Sequence, residues 1–197
     1  MVPQPNSDKV ALRRAVLAQR DALPAPLRAG LAERITEHLL AQPAVAQARW
    51  VLGYLSFGSE VDTHPLLGVL VARGTRLALP RVNRETRRLD LHVVHDLSED
   101  TAPGTWGIRE PIPARCPLAD RDLIDVVLAP GVAFTARGAR LGYGGGFYDR
   151  LLGPWQPRPP VLAACYGIQL LDTVPEEAND VRVDVIVTES GTFTPSR

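Results

Sequence analysis

The residues best suited to chemistry lie in one glycine-dense stretch, Arg140-Leu141-Gly142-Tyr143-Gly144-Gly145-Gly146-Phe147-Tyr148-Asp149-Arg150. Glycines so placed pack no core; they let backbone turn through positive φ or come close to a ligand. At the head of a helix, the N–H groups of such a loop and the helix dipole favour an anion, phosphate above all. Arg140 and Arg150 flank the loop with positive charge, and Asp149 adds a carboxylate that can hold a metal. A tight surface turn would use glycine as well. The stretch has neither the Gly-Lys-Ser/Thr of a Walker A loop nor the Gly-x-Gly-x-x-Gly spacing of a dinucleotide site.

Other chemical groups lie far away in sequence. Lys9 and Arg13 are four apart, so on a helix they stand one turn above each other on one face. A pair of solvated cations has the same spacing and contributes little. Lys9 is nevertheless the only lysine; every other basic residue is an arginine. Glu60, in Gly58-Ser59-Glu60-Val61-Asp62-Thr63, follows the apolar run of residues 50–57. If that run is a parallel strand, Glu60 stands at its carboxyl end, where open α/β sheets hold ligands; a solvated loop carboxylate is the plainer reading. His92 and His95 are three apart, which on a strand sends them to opposite faces, so they read as surface histidines. Cys116 and Cys165 show no metal-type spacing and read as reduced thiols. Lys9, Arg13, Arg140, the glycine loop and Asp149 together suggest a Mg–nucleoside triphosphate, because Mg²⁺ takes one or two carboxylates and shares phosphate oxygens.

These residues need elements to hold them. A helix capped by Ser7 carries Val10, Arg14 and Leu17 on one stripe, broadened by Leu12 and Val16, and ends before Pro24. A second helix over residues 27–41 buries Leu27, Leu31, Ile35 and Leu39, and Pro43 breaks it. Both are expected on one side of a sheet. Residues 50–57 read as a strand buried on both faces. A helix follows over 65–73, capped by Asp62 or Thr63, then strands over 75–82 and 89–94 around a polar turn. Residues 98–119 are irregular and hold Trp106, which can plug a core or stack on a flat ring. A strand over 124–129 leads into the glycine loop, and a helix over 147–152 follows it. Strands at 161–166, with Gln169 at its carboxyl end, and 183–188 bracket a turn-rich acidic loop at 175–180. This alternation predicts an α/β class, a single-domain three-layer sandwich over residues 1–197 with helices on both faces of a mostly parallel sheet.

The net charge is zero, so no overall field draws the chain to nucleic acid or an anionic membrane. No apolar run is long enough to span a bilayer, and the N-terminus has no apolar signal core, so a cytoplasmic location is expected.

The stretch Gly138-x-Arg140-Leu141-Gly142-x-Gly144-x-Gly146-Phe147-Tyr148-Asp149 resembles the signature of 5-formyltetrahydrofolate cyclo-ligases, also called 5,10-methenyltetrahydrofolate synthetases. Where the family usually has Tyr-Tyr-Asp, this chain has Phe147-Tyr148-Asp149. Leu55-Ser56-Phe57-Gly58-Ser59-Glu60-Val61-Asp62-Thr63 resembles the family's folate loop, and Lys9-x-x-x-Arg13 its first-helix phosphate pair. Trp106 matches a tryptophan of the family, and residues 175–180 match a Pro-x-Glu-x-His-Asp pattern from which Asn179 departs. The resemblance implies ATP- and Mg²⁺-dependent cyclisation of 5-formyltetrahydrofolate to 5,10-methenyltetrahydrofolate through a phosphorylated formyl group. It implies that Lys9, Arg13 and residues 140–148 (Arg140, Leu141, Gly142, Tyr143, Gly144, Gly145, Gly146, Phe147 and Tyr148) bind ATP. Leu55, Glu60 and Trp106, with Tyr143, Gly144, Gly145, Gly146 and Phe147, would hold the folate. Arg140 and Tyr148 would act in the chemical step, and Asp149 and Asp180 would bind the metal. The partners implied are small molecules, with no nucleic acid or membrane, and the protein would be a monomer or homodimer. A non-catalytic folate- or nucleotide-binding relative would share the motifs, and an isomerase of sugar phosphates could share the scaffold.

Overall fold

The computed structural model describes residues 5–195. In chain order the helices are α1 (Pro5–Asp21), α2 (Ala25–Leu40), α3 (Pro43–Ala46), α4 (His64–Ala72) and α5 (Phe147–Leu152). The strands are β1 (Trp50–Leu52), β2 (Arg76–Asn83), β3 (Arg88–Val94), β4 (Thr101–Pro103), β5 (Arg109–Pro111), β6 (Val126–Leu128), β7 (Ala133–Thr135), β8 (Arg140–Leu141), β9 (Val161–Ala164), β10 (Leu170–Leu171), β11 (Val185–Thr188) and β12 (Gly191–Phe193). Seven of them form one sheet in the order β12-β11-β9-β6-β1-β2-β3. The five inner strands run parallel, and β12 and β3 close the edges antiparallel.

The inner strands are short runs of Val, Leu and Ile because both their faces are covered. Side chains alternate between the two sides. Val51, Val126, Leu162 and Val187 face Ile35 and Leu39 of α2 and Leu66, Leu67 and Leu70 of α4. Leu52, Val127, Val161 and Ile186 face Leu152 of α5 and Trp155. The result is the expected α/β architecture, with helices on both faces of a mostly parallel sheet. No helix among the described residues is long and apolar enough to cross a membrane.

Helix α1 departs from expectation. It does not join α2 on the main sheet. Val16, with Leu12 and Leu17 beside it, packs on Val132, Ala133, Ala139, Leu141 and Val174, around the small three-stranded sheet β10-β7-β8. The stripe that the spacing predicts is not the buried one, since Val10 is 58% exposed. The buried side instead carries Lys9, Val16 and Arg20, and a helix face with two cations cannot lie on an apolar sheet. The helix begins at Pro5, ahead of Ser7, so Ser7 is not its first residue; the Ser7 side chain lies outside the described residues. Pro26 in the first turn of α2 starts that helix earlier than residue 27, since its missing N–H would have had no helical partner.

Three further differences shape the site. The run 50–57 stays in the sheet only through Leu52. Gly53 then lies against Leu67, where a Cβ would come within 2.7 Å, and Tyr54 and Leu55 turn inward while still buried. The β7–β8 hairpin stands between β6 and the glycine loop, so that loop does not leave the central strand directly. His92 is buried rather than on the surface, with Nδ1 2.8 Å from the Cys116 carbonyl oxygen, because the segment after β5 folds over β3.

Candidate active site

A cleft of about 740 Å³ opens between the end of β1, the β2–β3 hairpin and the glycine loop. Its two ends differ in chemistry. One is apolar, walled by Tyr54, Leu55, Phe57, Pro80, Val82 and Leu89, with Trp106 and Ile108 across the opening. The other is ionic, lined by Lys9, Arg13, Arg140, Asp149, Glu177 and Asp180. Residues 142–146 run between them.

The glycine loop has the backbone that its composition demands. Gly144 sits at φ 101° and Gly146 at φ 63°, both in the region that penalises side chains. Gly146 is the N-cap of α5, and no side chain caps that helix. Arg13 reaches the loop from α1, its Nε donating to the Gly142 carbonyl at 2.7 Å. Arg150 does not enter the cleft; it braces the loop from outside, with Nη2 2.8 Å from the Gly145 oxygen.

The ionic end is held by three ion pairs. Lys9 Nζ lies 2.7 Å from Asp180 Oδ2 and 3.1 Å from Glu177 Oε1. Burial alone would lower the Lys9 pKa, but its bonds to Asp180 and Glu177 outweigh burial and hold it above the ordinary lysine value. Arg140 Nη2 donates to Asp149 Oδ1 at 2.5 Å, and the Val181 N–H donates to the same oxygen at 3.1 Å. Two buried side-chain atoms among the described residues have no partner, Arg140 Nε and the Tyr148 hydroxyl. A buried donor without a partner is costly, so this pair marks a place that a polar ligand would complete. Burial also pushes the Tyr148 phenol well above its ordinary value, so it is present as a neutral O–H.

No group of three or more His, Cys, Asp or Glu side chains among the described residues makes a metal nest. Asp149 and Asp180 line the same cleft, but each faces a cation. That donor set suits Mg²⁺ shared with phosphate oxygens and water, and does not suit an all-protein cage.

At the apolar end, Glu60 is buried, and that burial raises its pKa against the pull of its hydrogen bonds. Its Oε2 accepts the Phe57 N–H at 3.0 Å, and its Oε1 accepts the Tyr143 hydroxyl at 2.5 Å. The same hydroxyl accepts from Arg20 Nη1 at 3.0 Å. Thr63 stands at the N-cap of α4, but its hydroxyl is taken by the Tyr54 carbonyl, and Asp62 accepts the His64 N–H. Trp106 is 72% exposed at φ 58°, with its ring edge-on to Phe147 at 6.0 Å between centroids.

The structure therefore brings the sequence-selected residues from positions 9 to 180 into one cleft, except for the flanking Arg150. Gln169 stays out as well; it is buried and bonds the Val132 carbonyl at 2.9 Å. The sequence pattern does not single out Arg20, nor Glu110, which also lines the cleft. For Arg20 a signal existed: Lys9, Arg13 and Arg20 are spaced by four and seven, which keeps them on one helical face.

Residues 5–189 match the family model described as the 5-formyltetrahydrofolate cyclo-ligase family. The chain is 34% identical to the 5-formyltetrahydrofolate cyclo-ligase of Mycolicibacterium smegmatis over 185 residues, covering 91% of this chain and 93% of that protein. It is 30% identical to the Escherichia coli protein of the same name, over 87% of this chain and 95% of that one. Among solved structures it resembles the 5,10-methenyltetrahydrofolate synthetase of Aquifex aeolicus, with a TM-score of 0.83 and 31% identity, over 96% of this chain and 93% of that one.

Proposed function

The chain belongs to the 5-formyltetrahydrofolate cyclo-ligase family, and from that premise we propose how its cleft cyclises 5-formyltetrahydrofolate to 5,10-methenyltetrahydrofolate with ATP as co-substrate. The observation that carries the reading is the two-ended cleft. An apolar end with a buried carboxylate suits a flat, partly polar pterin. An ionic end with unpartnered Arg140 Nε and Tyr148 hydroxyl suits a polyphosphate.

A formamide oxygen is a poor leaving group. In the proposed reaction that oxygen attacks the γ-phosphorus, the bond from phosphorus to the bridging oxygen breaks, and ADP leaves. N10 of the same folate then attacks the formyl carbon, losing its proton. The carbon–oxygen bond breaks and phosphate carries the oxygen away. Both reacting nitrogens belong to one molecule, so the enzyme gains chiefly by holding its shape. Phosphoryl transfer itself needs alignment and charge neutralisation more than a protein nucleophile.

The roles follow from this arrangement. Lys9, Arg13 and Arg140 neutralise the phosphates, while Gly142, Gly144, Gly145 and Gly146 let the triphosphate approach backbone. Leu141 supports the loop from β8. Tyr148 and Arg140 sit where charge develops in the transfer. Leu55, Glu60, Tyr143, Phe147 and Trp106 hold the folate. Asp149 and Asp180 would hold Mg²⁺, which would supply charge neutralisation on the phosphates. Lys9 and Arg140 then exchange their carboxylate partners for phosphate oxygens. We place the reaction in the cytoplasm, where the buried free thiols Cys116 and Cys165 stay reduced, with a monomer or homodimer as the working form.

The test is to mix protein, 5-formyltetrahydrofolate and Mg–ATP and follow the ultraviolet absorption of the methenyl product. A rise that needs both ATP and Mg²⁺ is expected. A rise that proceeds without ATP, or no rise with both ligands bound, would overturn the proposal.

A further inference from the structure

Arg20 lies in the last turn of α1 and is 3% exposed, as deeply buried as the core residue Val16 one turn earlier. No carboxylate lies within ion-pair distance of it among the described residues. Its Nε donates to the Ser59 hydroxyl at 2.9 Å, and its Nη1 donates to the Tyr143 hydroxyl at 3.0 Å. Each hydroxyl hands the interaction to an acid. Ser59 donates to Asp21, and Tyr143 donates to Glu60. A buried guanidinium satisfied only through hydroxyls is a poor stabilising device, and an apolar residue of similar volume would serve packing as well or better.

What the guanidinium does is settle direction. A phenol hydroxyl has one hydrogen and rotates to suit its neighbours. With Arg20 donating into the Tyr143 oxygen, that hydrogen is left for Glu60. Tyr143 belongs to the loop between the two ends of the cleft, and Glu60 to the loop after β1. Arg20 also grips Ser59, the residue before Glu60. One side chain thus fixes the carboxylate from both sides.

We propose that Arg20 is a positioning residue, which acts through the Tyr143 hydroxyl and Ser59 to fix Glu60 for binding the formylated folate. This rests on the reading that Glu60 holds that substrate. Arg20 itself is not among the residues that line the cleft.

The test measures KM for 5-formyltetrahydrofolate and for ATP separately, with melting temperature alongside. Arg20→Met keeps volume and removes the fork. It should raise the folate KM about tenfold or more, as for loss of a charge-assisted hydrogen bond, and leave the ATP KM within about twofold. Its melting temperature should not fall. Arg20→Lys keeps charge without the planar fork and should recover only part of the loss. Tyr143→Phe should give the same folate defect, and the double variant should be no worse than the worse single one, since both cut one path. An equal rise in both KM values, full additivity, or an unchanged folate KM would overturn the proposal. Glu60→Gln separates the two readings. If it leaves the folate KM unchanged, Glu60 does not hold the folate and the site assignment fails. If it raises the folate KM while Arg20→Met does not, only the positioning role fails.

Discussion

Residues in this cleft work by being held in states that water would not favour, and that makes their roles measurable. Lys9 faces Asp180 and Glu177 in a buried setting. Under the proposed assignment it trades them for phosphate, so Lys9→Ala should lose a charge-assisted contact worth about 1.5–3 kcal/mol. Steady-state kinetics should read this as a rise of roughly ten- to a hundredfold in the KM for ATP; an unchanged ATP KM would remove Lys9 from the phosphate site. Asp149→Asn should shift the Mg²⁺ titration of activity to higher concentration, and an unmoved titration would take Asp149 out of the metal site. Glu60 has a stability signature of its own. Burial raises its folded pKa above the ordinary carboxylate value, so between those two values the folded protein holds more protons than the unfolded one. Stability must then fall as pH rises through that window. Glu60→Gln removes the term, so its melting temperature relative to the unchanged protein should climb as pH is raised from the carboxylate range towards neutrality. A difference that stays flat with pH would show that Glu60 is not destabilised by its charge. The individual types of these residues were legible in sequence because lone chemical groups stand out against an apolar background. Arg20 shares the helical face of Lys9 and Arg13 by its spacing, but only its burial sets it apart from a solvated cation.

Elements explain most of what sequence patterns located and missed. The parallel strands β1, β6, β9 and β11 announce themselves as apolar runs because both faces are covered, and that signal survives without any structure. Their ends do not, since leaving the sheet is decided by neighbours: β1 stops where Gly53 meets Leu67, a contact distant in sequence. The β7–β8 hairpin was illegible for a similar reason, as two- and three-residue strands are too short to show a period. Helix α1 is the instructive case. Its apolar periodicity points to one stripe, whereas its buried face mixes Val16 with Lys9 and Arg20. Two jobs share that face, and substitutions should separate them. Val16→Ala removes two buried methyl groups and should lower stability by roughly 1–3 kcal/mol, visible in denaturant unfolding, with both KM values close to unchanged. Arg13→Ala should do the reverse, raising the KM for ATP with a small change in stability. If Val16→Ala altered the ATP KM as strongly as Arg13→Ala, the helix would be acting as one indivisible unit.

On the scale of the whole molecule, the site exists only in the folded chain. Its ionic end joins Lys9 to Asp180 and Arg13 to Gly142, while its apolar end joins Arg20 and Glu60 to Tyr143. No local segment could assemble that set, so neither ligand has a site on the unfolded chain, and each must stabilise the fold by mass action. A ligand at a hundred times its dissociation constant adds about 2.7 kcal/mol. For a chain of 197 residues, about 2–4 °C per kcal/mol converts this to a rise of roughly 5–11 °C in melting temperature. 5-Formyltetrahydrofolate alone and a non-hydrolysable Mg–ATP analogue alone should each produce a rise of this order. The two ends of the cleft predict which variant loses which rise: Glu60→Gln should forfeit the folate shift and keep the nucleotide shift, and Lys9→Ala should do the opposite. Loss of both shifts in either variant would mean that the ends are not separable and that the cleft binds its two ligands as one rigid whole.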